Sequence, residues 1–113
     1  MKFQLLLAAV NPQLTYEIID KAKELGATGA TIIPGRGIGG EDKKTFFGLT
    51  IEGETDVILF VVEERIASSI IKALDEYPKF QASEAGIAFS VPIDQIAGIQ
   101  SQFKKFKEAV KKK

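Results

Sequence analysis

The stretch Gly26-Ala-Thr-Gly-Ala-Thr-Ile-Ile-Pro-Gly-Arg-Gly-Ile-Gly-Gly40 divides the chain and decides how the rest is read. It begins with a glycine of the kind that closes a helix, and Ala30 to Ile33 follow as a short apolar strand that Pro34 is expected to stop. Gly35 to Gly40 then places four glycines in six residues. At that density backbone N–H groups can turn toward one point, which is how loops hold anions. The spacing is not a dinucleotide fingerprint, because the residues from Glu41 to Ile51 show strand chemistry where that motif requires a helix. A Gly-Lys-Ser/Thr phosphate loop is absent as well. A glycine-rich hairpin excursion and an anion-binding loop both remain compatible with the pattern.

Upstream, Phe3 to Val10 is an apolar run with one polar interruption, suited to a central strand. Asn11 offers an N-cap and Pro12 occupies the first helical position, where its missing N–H costs nothing. Leu14, Ile18, Ala22 and Leu25 then recur at helical spacing up to Gly26. Downstream of the glycines, Thr45 to Ile51 reads as a strand or hairpin arm, and Glu52-Gly53-Glu54 as a turn. Asp56 to Val62 is the strongest strand pattern in the sequence. Glu63 and Glu64 open a second helix with the buried stripe Ile66, Ile70, Ala73 and Leu74, closed by Tyr77-Pro78. Lys79 to Ala85 is read as irregular, Gly86 to Val91 as the last core strand closed by Pro92, and Ile93 to Ile99 as a turn or edge piece. A lysine-rich helix over residues 100–113 carries Phe103, Phe106 and Val110 on one side, which are expected to pack on their own subunit.

The order strand–helix–strand, excursion, strand–helix–strand makes a double βαβ within a single domain, residues 1–113. The fold class is α+β, ferredoxin-like: a four-stranded antiparallel sheet with two helices on one face and an added C-terminal helix. Phe3, Leu5, Leu7 and the run Val57 to Val62 put apolar side chains on both faces of the sheet. An uncovered apolar face of that extent marks association, most simply in a closed cyclic oligomer.

Composition excludes several classes of function. The 113 residues contain no cysteine and no histidine, so thiolate chemistry, disulfides, the commonest metal ligand and the commonest general base are all missing. A non-catalytic protein in the cytoplasm is expected. Net charge is zero but uneven: the last ten residues carry six lysines and one glutamate. Those cations sit at a helix C-terminus, where the dipole favours them, and no basic–aromatic sheet motif accompanies them, so nucleic acid is not an expected partner. Arg36, Lys43 and Lys44 could lend charge to an anion at the glycine loop, and Phe46 and Phe47 on the excursion suggest a partner-binding finger. Helix-end and turn roles explain the acidic pairs, leaving neither a catalytic pair nor a metal site.

The run Gly26-Ala-Thr-Gly-Ala-Thr31-Ile, the pair Gly37 and Gly39 opening a long excursion, and Glu84-Ala-Gly-Ile-Ala-Phe89 at the position of a second loop together resemble the PII nitrogen-regulatory signalling family. The resemblance runs from about Phe3 to Ile99. It implies a homotrimer that binds adenine nucleotides (ATP, ADP or AMP) as effectors between subunits and docks a flexible loop, the T-loop, onto a membrane transporter or metabolic enzyme. Carried over by residue, Thr31 and Val61 would serve the base. Gly35, Arg36, Gly37, Ile38, Gly39 and Gly40 would form the phosphate-facing loop root, and Gly86 and Ile87 would close the site. The T-loop becomes residues 36–54, with Lys43, Lys44, Phe46 and Phe47 as its partner-binding side chains.

Three departures from the family pattern bear on the ligand. Ile87 stands where the family has a lysine, and Ile96-Ala-Gly-Ile-Gln-Ser-Gln102 lacks the family's two arginines. At ~1.5–3 kcal/mol for each charged hydrogen bond, loss of three such contacts weakens triphosphate binding by several kcal/mol. The excursion contains no tyrosine, so the family's tyrosine-modification switch has no acceptor. The expected function is a divergent PII-like regulator that senses an adenine nucleotide or another small anion, in nitrogen regulation by resemblance. The alternative is a ferredoxin-like dimeric small-molecule-binding or scaffold module. An enzyme acting through Arg36, lysines and carboxylates is the third reading.

Overall fold

The structure is a computed structural model that describes residues 1–37, 45–46, 49–50, 54–81, 85–100 and 103–111. Strand β1 (Phe3–Val10) leads through a single 3₁₀ turn (Pro12–Leu14) into helix α1 (Thr15–Glu24). The Asn11 side chain accepts a hydrogen bond from the Gln13 N–H at 3.0 Å, so the expected cap forms, but over the 3₁₀ turn rather than the α-helix itself. Strand β2 (Thr31–Arg36), the short β3 (Thr45–Phe46) and β4 (Leu49–Thr50), and the long β5 (Glu54–Glu63) follow. Helix α2 (Glu64–Glu76), the short α3 (Pro78–Gln81), β6 (Gly86–Pro92) and α4 (Phe103–Lys111) complete the chain.

The main sheet has the order β2-β5-β1-β6 with every neighbouring pair antiparallel, as the double βαβ requires. Leu6 pairs with Phe60 and Ala8 with Ile58, and these four side chains point into the helical layer. There they form one core with Val10 and Val62 of the sheet, Ile18 and Ala22 of α1, and Ile66, Ala67, Ile70 and Leu74 of α2. Glu63 begins α2 as predicted: its carboxylate accepts from the Arg65 N–H at 3.0 Å and from Arg65 Nε at 3.0 Å while the residue is buried.

Four sequence expectations need correction. Pro34 does not stop β2, which runs on through Gly35 and Arg36. An edge strand is paired on one side only, so a proline without an N–H is tolerated there. Thr45 to Thr50 is not one strand: Thr45 pairs with Thr50 and Phe46 with Leu49, a small ladder of its own. Glu54 belongs to β5, opposite Arg36, instead of to a turn, which sets the root of the excursion at that pair. Lys79 to Gln81 lies in a helical turn that Pro78 opens, where irregular chain was expected. Helix α4 sits over the end of α1. Ala109 packs against the core, and a Cβ on Gly26 (φ +123°) would stand 3.2 Å from the Ala109 Cβ and 2.8 Å from Ile66 Cδ1. The helix meets its own chain through Ala109, and Val110 is half-buried. The side chains of Phe103 and Phe106 lie outside the described residues.

Candidate functional site

Side chains alternate along a strand, so the residues between those of the core line the opposite face of the sheet. On β1 these are Leu5, Leu7 and Ala9, which pair with Val61, Leu59 and Val57 on β5 and with Val91, Phe89 and Ile87 on β6. No helix of the core covers this face, and Ile33 (47% exposed), Phe89 (45%), Val91 (42%), Val61 (37%) and Ile87 (36%) present an apolar surface across its width. The two-faced apolar pattern in the sequence is therefore realised.

At the β2 edge of this face lies a groove of about 500 Å³. Thr31, Leu59 and Val61 form its floor, the turn from Thr28 to Ala30 one wall, and Ile96 to Ile99 with Lys105 of α4 the other. Thr31 and Val61, both expected near a nucleotide base, are thus brought together. Register explains it: Thr31 pairs with Leu59, two residues before Val61, so both side chains emerge on the same side of neighbouring strands. The residues after β6 were expected to matter only through the arginines they lack, yet they wall this groove. Gly98, with φ +82°, turns the chain within this wall, and a lone glycine among apolar residues was the one sequence sign of a backbone irregularity there.

The remaining candidates lie elsewhere. Gly35 and Arg36 are the last residues of β2, paired with Thr55 and Glu54, and Gly37 follows, buried. Opposite Gly35, the buried Thr55 hydroxyl is a polar side-chain atom without a hydrogen-bond partner among the described residues. Sequence reading missed it, because a threonine in a strand has no signature of its own. Gly86 and Ile87 begin β6, paired with Val10 and Ala9. Through Val10 and Asp56, Gly86 is level with Pro34, so the start of β6 and the end of β2 share one end of the sheet at opposite edges. Ile38, Gly39, Gly40, Lys43, Lys44 and Phe47 lie outside the described residues, as does the Phe46 side chain, although its backbone is in β3.

The site residues therefore fall into groups that one chain does not join. Three strand spacings, about 14 Å, separate the β2 and β6 edges. Between them β5 and β1 carry Val57, Leu59, Leu5, Leu7 and Ala9 outward, all apolar.

Away from the sheet, Glu17 of α1 accepts from Tyr77 Oη at 2.8 Å and from Lys79 Nζ at 2.7 Å. The hydrogen bond from Lys79, then that from Tyr77, hold the Glu17 carboxyl below its ordinary range. The same contacts raise Lys79 and Tyr77. Lys21 lies 4.4 Å over the Tyr77 ring. The cluster ties α1 to the end of α2, remote from the groove, and reads as structural. Among the described residues no group of three or more acidic, histidine or cysteine side chains could hold a metal, and no helix is long and apolar enough to cross a membrane.

A model of the family "Nitrogen regulatory protein P-II" matches residues 3–102. The chain belongs to the P-II family. Among solved structures, this P-II protein is similar to a protein of Thermus thermophilus described as PII-like and signalling. That match has 26% identity and a TM-score of 0.64, over 82% of this chain and 87% of that one. It is also similar to CPII of Thiomonas intermedia K12 bound to ADP, AMP and acetate, at 19% identity and TM-score 0.69, over 93% and 94% of the two chains. A third likeness is to Arabidopsis thaliana PII bound to citrate, at 24% identity and TM-score 0.61, over 81% and 78%. No curated protein matches by sequence. The P-II match ends at residue 102, one residue before α4, so the helix that supplies Lys105 to the groove lies beyond the shared segment.

Proposed function

We propose that this P-II protein is a non-catalytic signalling subunit of the cytoplasm. It assembles as a homotrimer through the open sheet face, and it binds an adenine nucleotide, ADP or AMP, in a cleft formed between copies. The observation that carries the reading is the separation of Thr31 and Val61 from Gly86 and Ile87 at opposite edges of an uncovered apolar face. A cyclic arrangement in which the β2 edge of one copy meets the β6 edge of the next covers that face and joins the two groups in one step. The nucleotides bound to the Thiomonas protein, and the citrate bound to the Arabidopsis one, support a small anionic effector.

In this reading Thr31 and Val61 hold the base. The backbone from Gly35 to Gly40 with Arg36, and Gly86 with Ile87 from the neighbouring copy, face the phosphates. Residues 36–54, rooted at the Arg36–Glu54 pair, form the T-loop. Effector contacts at its root order or release it, and Lys43, Lys44, Phe46 and Phe47 engage a membrane transporter or metabolic enzyme. Nitrogen regulation is the pathway the family name suggests.

The test is calorimetric titration with ATP, ADP, AMP, cyclic AMP and bicarbonate, alongside molar mass in solution. Binding of ADP or AMP by a species of three chains is expected. A dimer would favour the alternative small-molecule or scaffold module, and silence across the panel would refute the effector reading.

A further inference from the structure

We propose that the outer side of α4 is a lysine ridge that docks this protein onto a membrane surface rich in anionic phospholipid. The inference is independent of the nucleotide reading, and it concerns a helix that begins where the segment matched by the P-II family ends.

Charge and its placement carry the case. The last ten residues hold six lysines and one glutamate, in a chain whose net charge is zero, so the rest of the chain is acidic by the same amount. The fold turns that uneven composition into a directed surface. Ala109 packs against the core and faces Gly26, which fixes the inner side of α4. At roughly 100° per residue, Lys104, Lys107 and Lys111 fall within about 60° of one another on the opposite side of the helix. All three are exposed, and Lys104 and Lys111 form no ion pair among the described residues. The helix dipole does not account for the ridge. It favours Lys111 in the last turn, but Lys104 and Lys105 occupy the first turn, which holds no acidic residue and where a cation is disfavoured. An anionic surface outside the protein supplies the compensation that the helix itself withholds.

The chemistry of the ridge selects the surface. It contains lysine alone, without the aromatic or arginine anchors around which protein interfaces are built, and lysine is depleted in such interfaces. Base-edge contacts and base stacking, which distinguish nucleic-acid sites, likewise call on side chains that the ridge lacks. Lysine is a compact, hydrated point charge, suited to a fluid array of anionic headgroups that imposes no fixed geometry. Helix α4 has nine residues, and no described helix is long and apolar enough to cross a membrane, so the contact is peripheral. It also leaves the excursion accessible. Helix α4 lies beside Gly26 and Ile66, near the end of β5 at Glu63, whereas the excursion is rooted at the Arg36–Glu54 pair. The length of β5, on the order of 30 Å, separates the two, so lipid at the ridge and a partner at the excursion do not compete for one surface.

The experiment is co-sedimentation of the full-length protein with vesicles of phosphatidylcholine containing about 30% phosphatidylserine, and with vesicles of phosphatidylcholine alone. Wild type is expected to bind the anionic vesicles at low salt, to ignore the neutral ones, and to be released by about 1 M salt. The triple variant Lys104→Gln, Lys107→Gln, Lys111→Gln should lose about 100-fold in affinity, at about 5-fold for each lysine near an anionic surface. Glutamine has nearly the helix propensity of lysine, so circular dichroism should be unchanged. Arginine at the same three positions should bind as wild type does. The triple Lys2→Gln, Lys23→Gln, Lys72→Gln removes equal charge from exposed positions outside α4, and it should lose less than about 5-fold. Absence of wild-type binding to the anionic vesicles at low salt overturns the proposal. An equal loss in the two glutamine triples overturns it as well, because net charge and not the ridge would then be acting. Tighter wild-type binding to a DNA duplex than to the vesicles, at the same salt, overturns the lipid assignment in favour of nucleic acid.

Discussion

Phe89→Asp separates assembly from folding. Phe89 lies mid-strand on β6, opposite Leu7, on the face turned away from α1 and α2, and 45% of it remains exposed in the single chain. Full burial of a phenylalanine contributes about 1.5–3 kcal/mol, so completing the burial of this one adds roughly 1 kcal/mol per copy and about 3 kcal/mol for three. The introduced carboxylate costs more than this lost burial. Each ionised aspartate drawn into an apolar interface without a partner costs several kcal/mol, so three together exceed about 10 kcal/mol. That exceeds the margin of most micromolar assemblies. The core of Leu6, Phe60, Ile70 and Leu74 lies on the other side of the sheet and is untouched. Sedimentation equilibrium should show wild type as a trimer and Phe89→Asp as a single chain, with far-ultraviolet circular dichroism unchanged. A variant sedimenting with the wild-type mass would refute the role of this face. Lost secondary structure would show that Phe89 belongs to the fold of the single chain.

Two further expectations concern the scaffold. Gly86 has φ +140°, and a Cβ there would stand 2.1 Å from the Ala9 carbonyl oxygen. Gly86→Ala should therefore destabilise the fold by more than about 2 kcal/mol, read by chemical denaturation, through backbone strain and displacement of β6 from β1. The Glu17 carboxyl, held low by Lys79 and Tyr77, contributes stability that is fully present above its unfolded value and is lost as pH falls through the lower folded value. Lys79 and Tyr77, both raised, contribute stability present below their unfolded values and lost as pH rises through the folded ones. A Glu17→Gln variant should show a flatter dependence of Tm on pH at both the acidic and the alkaline end. A pH profile identical to wild type would refute the contribution of this cluster, which solvent screening keeps small.

What was legible in the sequence was whatever repeats. The period of two in β1 and β5 and the helical stripes of α1 and α2 determine strand order and core, because burial on one face demands them. Pro34 misled because the rule that proline ends a strand holds for interior strands, and only topology reveals that β2 is an edge. Within the site, Thr31 and Val61 were found from motif resemblance, and their adjacency is a consequence of register. Lys105 and the wall from Ile96 to Ile99 were not found, since their approach to the sheet depends on where α4 docks. That docking rests on Gly26 and Ala109, which are far apart in sequence and carry no shared pattern. The Thr55 hydroxyl, without a hydrogen-bond partner among the described residues, is likewise a property of packing.

The claim that the effector site is completed by a second copy is tested most directly by mixing two variants. Val61→Gln places a polar amide in the groove and Ile87→Gln one at the β6 edge, both uncharged so that the apolar face can still assemble where the Phe89→Asp carboxylate prevents it. Each alone should fail to bind ADP while keeping the wild-type mass. When the two are unfolded together and reassembled, about a quarter of the boundaries in a random ring should pair an intact groove with an intact β6 edge. Calorimetry should then recover about that fraction of the wild-type sites at wild-type affinity. A mixture that binds no ADP, although mixed assembly is verified by mass, would contradict a site shared between copies.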